Sequence, residues 1–324
     1  MKSVRVATIG CGEHSSRHIH PSIAEAGLEL VACCDLDADR AKRMAARYAN
    51  GTHYTDWREM CRNEKLDALV VVIGPKEHAR LSMELTRMGY HVWTEKPPAE
   101  SAAESDEVAR QATQSGRIVQ TGFNYRYTIA VRSARRMIQE GKFDEPGMVA
   151  VRWWLGDKDP RMFTWHYVCH AVDLLNHLAG PLGKMVVKGS RRGEKCWYQA
   201  MFDTPNGCLA VLELSNAMPI QQPWCRIDWM SPTGLMSAID FYRLELMPGG
   251  NNRPVDEEHN YDTLQGNAWW SPPYYGGGRM ALERWGYIPE LIAFRRAVRG
   301  EIPPESTIHD SSLSMRISEQ IIGG

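Results

Sequence analysis

Residues 4–23 read VRVATIGCGEHSSRHIHPSI. A hydrophobic run, Val4 to Ile9, enters two glycines, Gly10 and Gly12, and leaves through a polar turn into a helical pattern carried by Ile19, Ile23 and Ala26. Strand, Gly-rich turn and helix in that order are the setting a dinucleotide fingerprint requires. The first glycine permits a tight turn, and the second lets backbone approach a pyrophosphate at the helix N-terminus. Glu13 and His14 lie inside the turn and are read as cofactor contacts with it. The third fingerprint position holds Ser15 in place of glycine, so an ordinary tight turn stays open on this stretch alone.

Asp35 narrows the choice. It stands 23 residues after Gly12, at the end of a second hydrophobic run, Leu28 to Cys34. An acid there can take both hydroxyls of an adenosine ribose. Its charge repels a 2′-phosphate, and no Arg immediately follows it, so NAD is preferred over NADP.

Working outward, the first third alternates two periodicities. Helical stretches at Asp39 to Tyr48, Lys76 to Met88 and Ala102 to Ser115 separate short apolar runs at Ala68 to Ile73, His91 to Thr94 and Ile118 to Thr121. Continuous apolar strands suit a parallel sheet covered on both faces, and the alternation predicts a doubly wound α/β domain over residues 1–124. Beyond a helix near Thr128 to Glu140 the strands lengthen and alternate apolar with polar residues. That predicts a large open sheet, mixed and mostly antiparallel, in an α+β domain over 125–324. Met236 to Leu246 reads as one strand, residues 248–278 as a long loop, and Ile288 to Val298 as a closing helix.

Among 324 residues, 43% are hydrophobic and 24% charged, which is ordinary globular composition. The net charge of −1 gives no nucleic-acid or anionic-membrane footprint. No apolar run reaches the roughly 18 residues of a membrane span. The opening residues have no signal-peptide pattern. Eight cysteines without CxxC spacing read as reduced thiols of a cytoplasmic protein, and no metal site is expected.

The segment HVWTEKPPAE, residues 91–100, places Glu95, Lys96 and Pro97 at the carboxyl end of a strand, where open α/β sheets bind ligands. A lysine there can hydrogen-bond a substrate hydroxyl and relay its proton. Together with the N-terminal fingerprint, Gly74-Pro75 followed by His78, and Phe123-Asn124-Tyr125-Arg126, this segment resembles the glucose–fructose oxidoreductase/inositol dehydrogenase (Gfo/Idh/MocA) family over nearly the whole chain. The resemblance implies an NAD(P)-binding Rossmann domain and a substrate-binding and oligomerisation domain. The expected reaction is NAD-dependent oxidation or reduction at a hydroxyl carbon of a sugar, cyclitol or related polyol. It also implies that Gly10, Gly12, Asp35, Gly74, Pro75, His78, Glu95, Lys96 and Asn124 serve the cofactor, with Lys96 touching substrate as well.

The family's second cluster is usually Asp, then His four residues on, then Asp after three more. Here it is matched by His166, His170 and Asp173, with His166 where many members carry the acid. Lys96, His170 and Asp173 are thus expected to be catalytic, with His166 either catalytic or substrate-binding. Arg126, Trp153, Arg161 and Trp165 are read as further substrate contacts. The exposed sheet face predicts a homodimer or homotetramer. Glycoside cleavage or transhydrogenation with retained NAD, and a non-catalytic NAD-binding regulator, remain open beside the dehydrogenase.

Overall fold

The computed structural model describes residues 3–156, 163–218, 224–248, 268–270 and 279–323. The chain forms two compact units, Met1–Tyr127 with Gly277–Glu319, and Thr128–Gly276 with Gln320–Gly324. A single boundary after residue 124 therefore does not describe the molecule, because 277–319 returns to the first unit.

In that unit β1 (Val4–Ile9), β2 (Leu28–Cys34), β3 (His53–Tyr54), β4 (Ala68–Val71), β5 (His91–Thr94) and β6 (Val119–Thr121) form one sheet in the order 3-2-1-4-5-6. Every pairing in it is parallel. This is the doubly wound order, and its direction reverses between β1 and β4. The central strand β4, Ala-Leu-Val-Val, is wholly apolar and buried, as suits a strand covered on both faces. Ala7, Ile9, Leu69, Val71 and Val92 pack with residues of α3 (Trp57–Asn63), α4 (Pro75–Arg87) and α5 (Ala102–Ser115). Val6, Val70 and Trp93 pack on the other side with Ile23 of α1 (His20–Glu25) and with Leu291 and Phe294. Full burial of such side chains stabilises the fold by about 1.5–3 kcal/mol each.

Leu291 and Phe294 belong to the helix Tyr287–Val298, which the sequence reading assigned to the second domain. It completes the first unit's core instead. Helix starts are locally encoded. Asp37 caps α2 (Ala38–Tyr48) by accepting from Asp39 and Arg40 N–H, Ser101 caps α5 through Glu104 N–H, and Pro75 occupies the first position of α4.

The second unit carries α6 (Ile129–Gln139) and an eight-stranded sheet. Its strands are β7 (Met148–Trp154), β8 (Met185–Arg192), β9 (Lys195–Phe202), β10 (Leu209–Ser215), β11 (Trp224–Ser231), β12 (Gly234–Ile239), β13 (Arg243–Pro248) and β14 (Ala268–Trp270). The order is 14-13-12-11-7-10-9-8, with β7 and β10 parallel and the other neighbours antiparallel. The expected single strand at Met236 to Leu246 is two, broken by a turn in which Asp240 and Phe241 take φ of 49° and 65°. Positive φ at both central residues matches the right-handed twist of a hairpin. All eight cysteines are free and buried. Among the described residues no helix is long and apolar enough to cross a membrane.

Candidate functional site

The chain leaves β1 at Gly10 with φ of 100°, and a Cβ there would lie 2.0 Å from the Val72 carbonyl oxygen. Only glycine fits where the exits of β1 and β4 run so close. Gly10 N–H donates to Cys34 O at 2.8 Å. Next, Cys11 N–H donates to Asp35 Oδ2 at 2.7 Å, and Asp37 N–H to Asp35 Oδ1 at 2.9 Å. The carboxylate is thus oriented from both sides, and each oxygen keeps a further lone pair for a hydroxyl donor. Around Gly12 the space a side chain would fill is open.

Glu13 is exposed and pairs with Arg17 at 2.7 Å. The expected helix begins as a single π-helical turn, Ser15–Ile19, before α1. Such turns recur at functional sites. Ser15, in the third fingerprint position, is fully buried, with its hydroxyl 2.9 Å from His20 Nδ1.

At the exit of β5, Glu95 N–H donates to Val71 O at 2.9 Å. The side chain of Glu95 is buried; Oε1 lies 2.9 Å from His14 Nε2, and Oε2 accepts the Lys96 N–H at 3.0 Å. Burial pushes this carboxyl up, but the opposing pull of His14 and Lys96 outweighs it and holds the acid below its usual range. The His14 ring faces His18 at 5.0 Å, and His18 stacks on Tyr287 at 5.0 Å between centroids. Burial, then the neighbouring His14, lowers His18, while burial and the Glu95 charge raise Tyr287 well above its usual value. Gly122 makes room here, since a Cβ on it would stand 2.9 Å from the Trp93 ring and 3.4 Å from Glu95 Cδ. Tyr287 and Gly122 were not singled out as site residues in the sequence; the return of 277–319 that brings Tyr287 here has no local signal.

His78, expected to serve the cofactor, is 1% exposed and spends both ring nitrogens on the protein. Since the Pro97 carbonyl can only accept, Nδ1 carries the proton and donates to it at 2.7 Å, while Nε2 accepts from Ile73 N–H at 3.4 Å. The geometry makes His78 a clamp on the Lys96–Pro97 link, whose peptide bond is cis. Gly74 is exposed and extended, and Pro75 half-buried, just ahead of that clamp. Asn124 is buried and donates to Trp285 O at 2.8 Å. Arg126, expected on substrate, is 5% exposed and pairs with the half-buried Asp310 at 3.7 Å.

In the second unit, a π-helical turn Thr164–Val168 runs into the helix Cys169–Ala179. His166 sits half-buried on the turn, and His170 and Asp173 are buried on the helix. Trp153 is fully buried and stacks parallel to His170, with ring centroids 6.1 Å apart and an interplanar angle of 3°. It also packs on Phe241 at 5.2 Å. A tryptophan with no exposed surface presents no face to a sugar, so Trp153 backs His170 instead. Arg161 and the side chain of Trp165 lie outside the described residues.

Residues 4–123 match the Gfo/Idh/MocA family model, described as an oxidoreductase family with an NAD-binding Rossmann fold. An inositol 2-dehydrogenase of Salmonella typhimurium is 25% identical over 183 residues, 54% of each chain. A D-glucoside 3-dehydrogenase of Escherichia coli is 28% identical over 144 residues, 44% of this chain and 41% of its own. The chain thus spans about half the length of the curated relatives it matches. The crystal structure of a dehydrogenase from Chromobacterium violaceum superposes with a TM-score of 0.87 at 20% identity, over 100% of this chain and 95% of that one, which shows the shared fold.

Proposed function

We propose, for a chain that belongs through residues 4–123 to the Gfo/Idh/MocA oxidoreductase family, that it is an NAD(H)-dependent oxidoreductase acting on a hydroxyl carbon of a sugar or cyclitol. The observation that carries this reading is the Asp35 carboxylate, held by two backbone N–H groups beside a glycine turn at the carboxyl edge of the parallel sheet. That arrangement fits a dinucleotide: Gly10 and Gly12 would lie under the pyrophosphate, and Asp35 would accept the ribose hydroxyls. When bound, NAD supplies hydride transfer at its nicotinamide ring.

The protein's own part is positioning and proton handling. Lys96, on a link fixed by His78, is the group assigned to hydrogen-bond the substrate hydroxyl and take or return its proton. Glu95, its buried carboxylate ionised beside the exposed His14, holds negative charge beside that lysine. In the second unit His170, backed by Trp153, and Asp173 are assigned to the substrate and its proton, with His166 on the adjoining turn. Dehydrogenases of inositol and of D-glucoside among the relatives support a polyol as substrate. The test is NADH formation over a panel of sugars and cyclitols by wild type and Lys96→Ala. Turnover unchanged by that substitution would end this mechanism.

The same reading includes a second copy of the chain. The outward face of the second unit's sheet exposes Val186, Trp197, Met201, Leu209 and Met230, each at 40% or more. Covering such a face by self-association removes apolar area from water. A monomeric mass by light scattering at micromolar concentration would contradict it.

A further inference from the structure

Beneath the glycine turn, three soft donors meet from separate parts of the chain. Cys11 comes from the turn, His20 from the first position of α1, and Cys33 from β2, and their ligand atoms all lie within 4.8 Å of one another. All three residues are buried. Cys33 Sγ stands 3.6 Å from His20 Nε2. A tetrahedral ion with bonds of about 2.3 Å to sulfur and about 2.0 Å to nitrogen places those two donors about 3.5 Å apart.

The histidine is already oriented. His20 Nδ1 lies 3.1 Å from the Ser15 carbonyl oxygen, which can only accept, so Nδ1 bears the proton and Nε2 keeps a lone pair towards Cys33. An N–H to a backbone carbonyl is how metal-ligating histidines are commonly fixed. Thr8 Oγ1, 3.1 Å from the same Nε2, is an oxygen at hand for a fourth position.

We propose that Cys11, His20 and Cys33 form a buried site for a single thiophilic divalent cation of the zinc type, directly under the dinucleotide turn. Two thiolates, a neutral imidazole and a dication sum to zero charge, so the loaded site puts no net charge into the core. Binding displaces the two thiol protons to solvent, with no change of oxidation state. The ion would also tie down the turn, because the Cys11 backbone N–H holds Asp35 Oδ2. No local ligand spacing announces the site, as its donors are separated by 9 and 13 residues (20 − 11 and 33 − 20) on three different elements.

The experiment uses the full chain, stripped with chelator and then equilibrated with zinc or with cobalt as a spectroscopic probe. The expected result is one tightly held ion per chain and a cobalt spectrum showing thiolate charge transfer with tetrahedral d–d bands. Cys33→Ser should weaken binding by more than the about 10–100-fold that loss of an outer-shell partner costs. Should that variant fail to fold, wild type alone decides. If wild type retains no zinc, if its cobalt complex lacks thiolate charge transfer, or if folded Cys33→Ser binds undiminished, the proposal is overturned.

Discussion

The Cys11 N–H donates to Asp35 Oδ2 across 2.7 Å, joining the glycine turn to the acid at the end of the next strand. That bond aims the carboxylate, and under the proposed function its charge would set cofactor choice. Two close like charges cost about 1 kcal/mol in water and about 4 kcal/mol at an effective dielectric of 20. Wild type should therefore prefer NAD over NADP by between about fivefold and about a thousandfold. Asp35→Ala should weaken NAD and narrow or reverse that preference, as measured by calorimetric titration with each dinucleotide. Equal affinities in wild type would show that Asp35 serves another purpose.

Gly10→Ala should cripple dinucleotide binding, because its Cβ would press on the Val72 carbonyl in a backbone region that side chains avoid. Strained backbone of this kind costs on the order of 1–3 kcal/mol before any clash. Thermal unfolding and NAD titration of the variant should both register it. Wild-type values in both would mean the turn has room the geometry denies.

His78 should make stability pH-dependent. Burial holds its imidazole below the usual 6.5, so it is neutral when folded and binds more protons when unfolded. Its contribution is complete above about pH 6.5 and is lost as pH falls towards the folded value. His18 and His91 are lowered in the same direction by burial, so they add to the wild-type slope. His78→Gln should lose less melting temperature than wild type between about pH 7.5 and about 5.5. It should also lower turnover, through a loosened Lys96–Pro97 link. An unchanged pH slope would remove His78 from this account.

Trp153→Ala should destabilise the protein by about 3–5 kcal/mol, the usual cost of deleting a buried aromatic. It removes the surface on which His170 rests. Denaturant unfolding measures this, and a loss under about 1 kcal/mol would contradict a core role.

Much of the first unit was legible because a sheet buried on both faces writes itself as uninterrupted apolar runs. His91 to Thr94 and Ala102 to Ser115 match the observed bounds. β3 escaped notice because two residues carry no period. The break at Asp240-Phe241 escaped because Phe241 stands where a glycine usually marks such a turn. The helix Tyr287–Val298 was visible as a helix, but its destination was not, since periodicity says which face is buried and not against what. Gly10, Asp35 and Glu95 lie at the strand ends where the sequence reading placed them, because a glycine turn and an acid after an apolar run mark such ends. His78, Arg126 and Trp153 were given ligands by motif or by neighbourhood, whereas their side chains turn inward to Pro97, Asp310 and His170.

Hydride exchange with a polyol, with Lys96 handling the hydroxyl proton, is followed through nicotinamide absorbance, free and protein-bound, as wild type and Lys96→Ala meet a sugar and cyclitol panel with NAD. Lys96→Ala should still bind NAD and lose at least about 100-fold in turnover, the low end of what general acid–base catalysis contributes. Wild type should give reduced nicotinamide with at least one polyol. NAD binding with no reduction across the panel, or a Lys96→Ala rate equal to wild type, would contradict it.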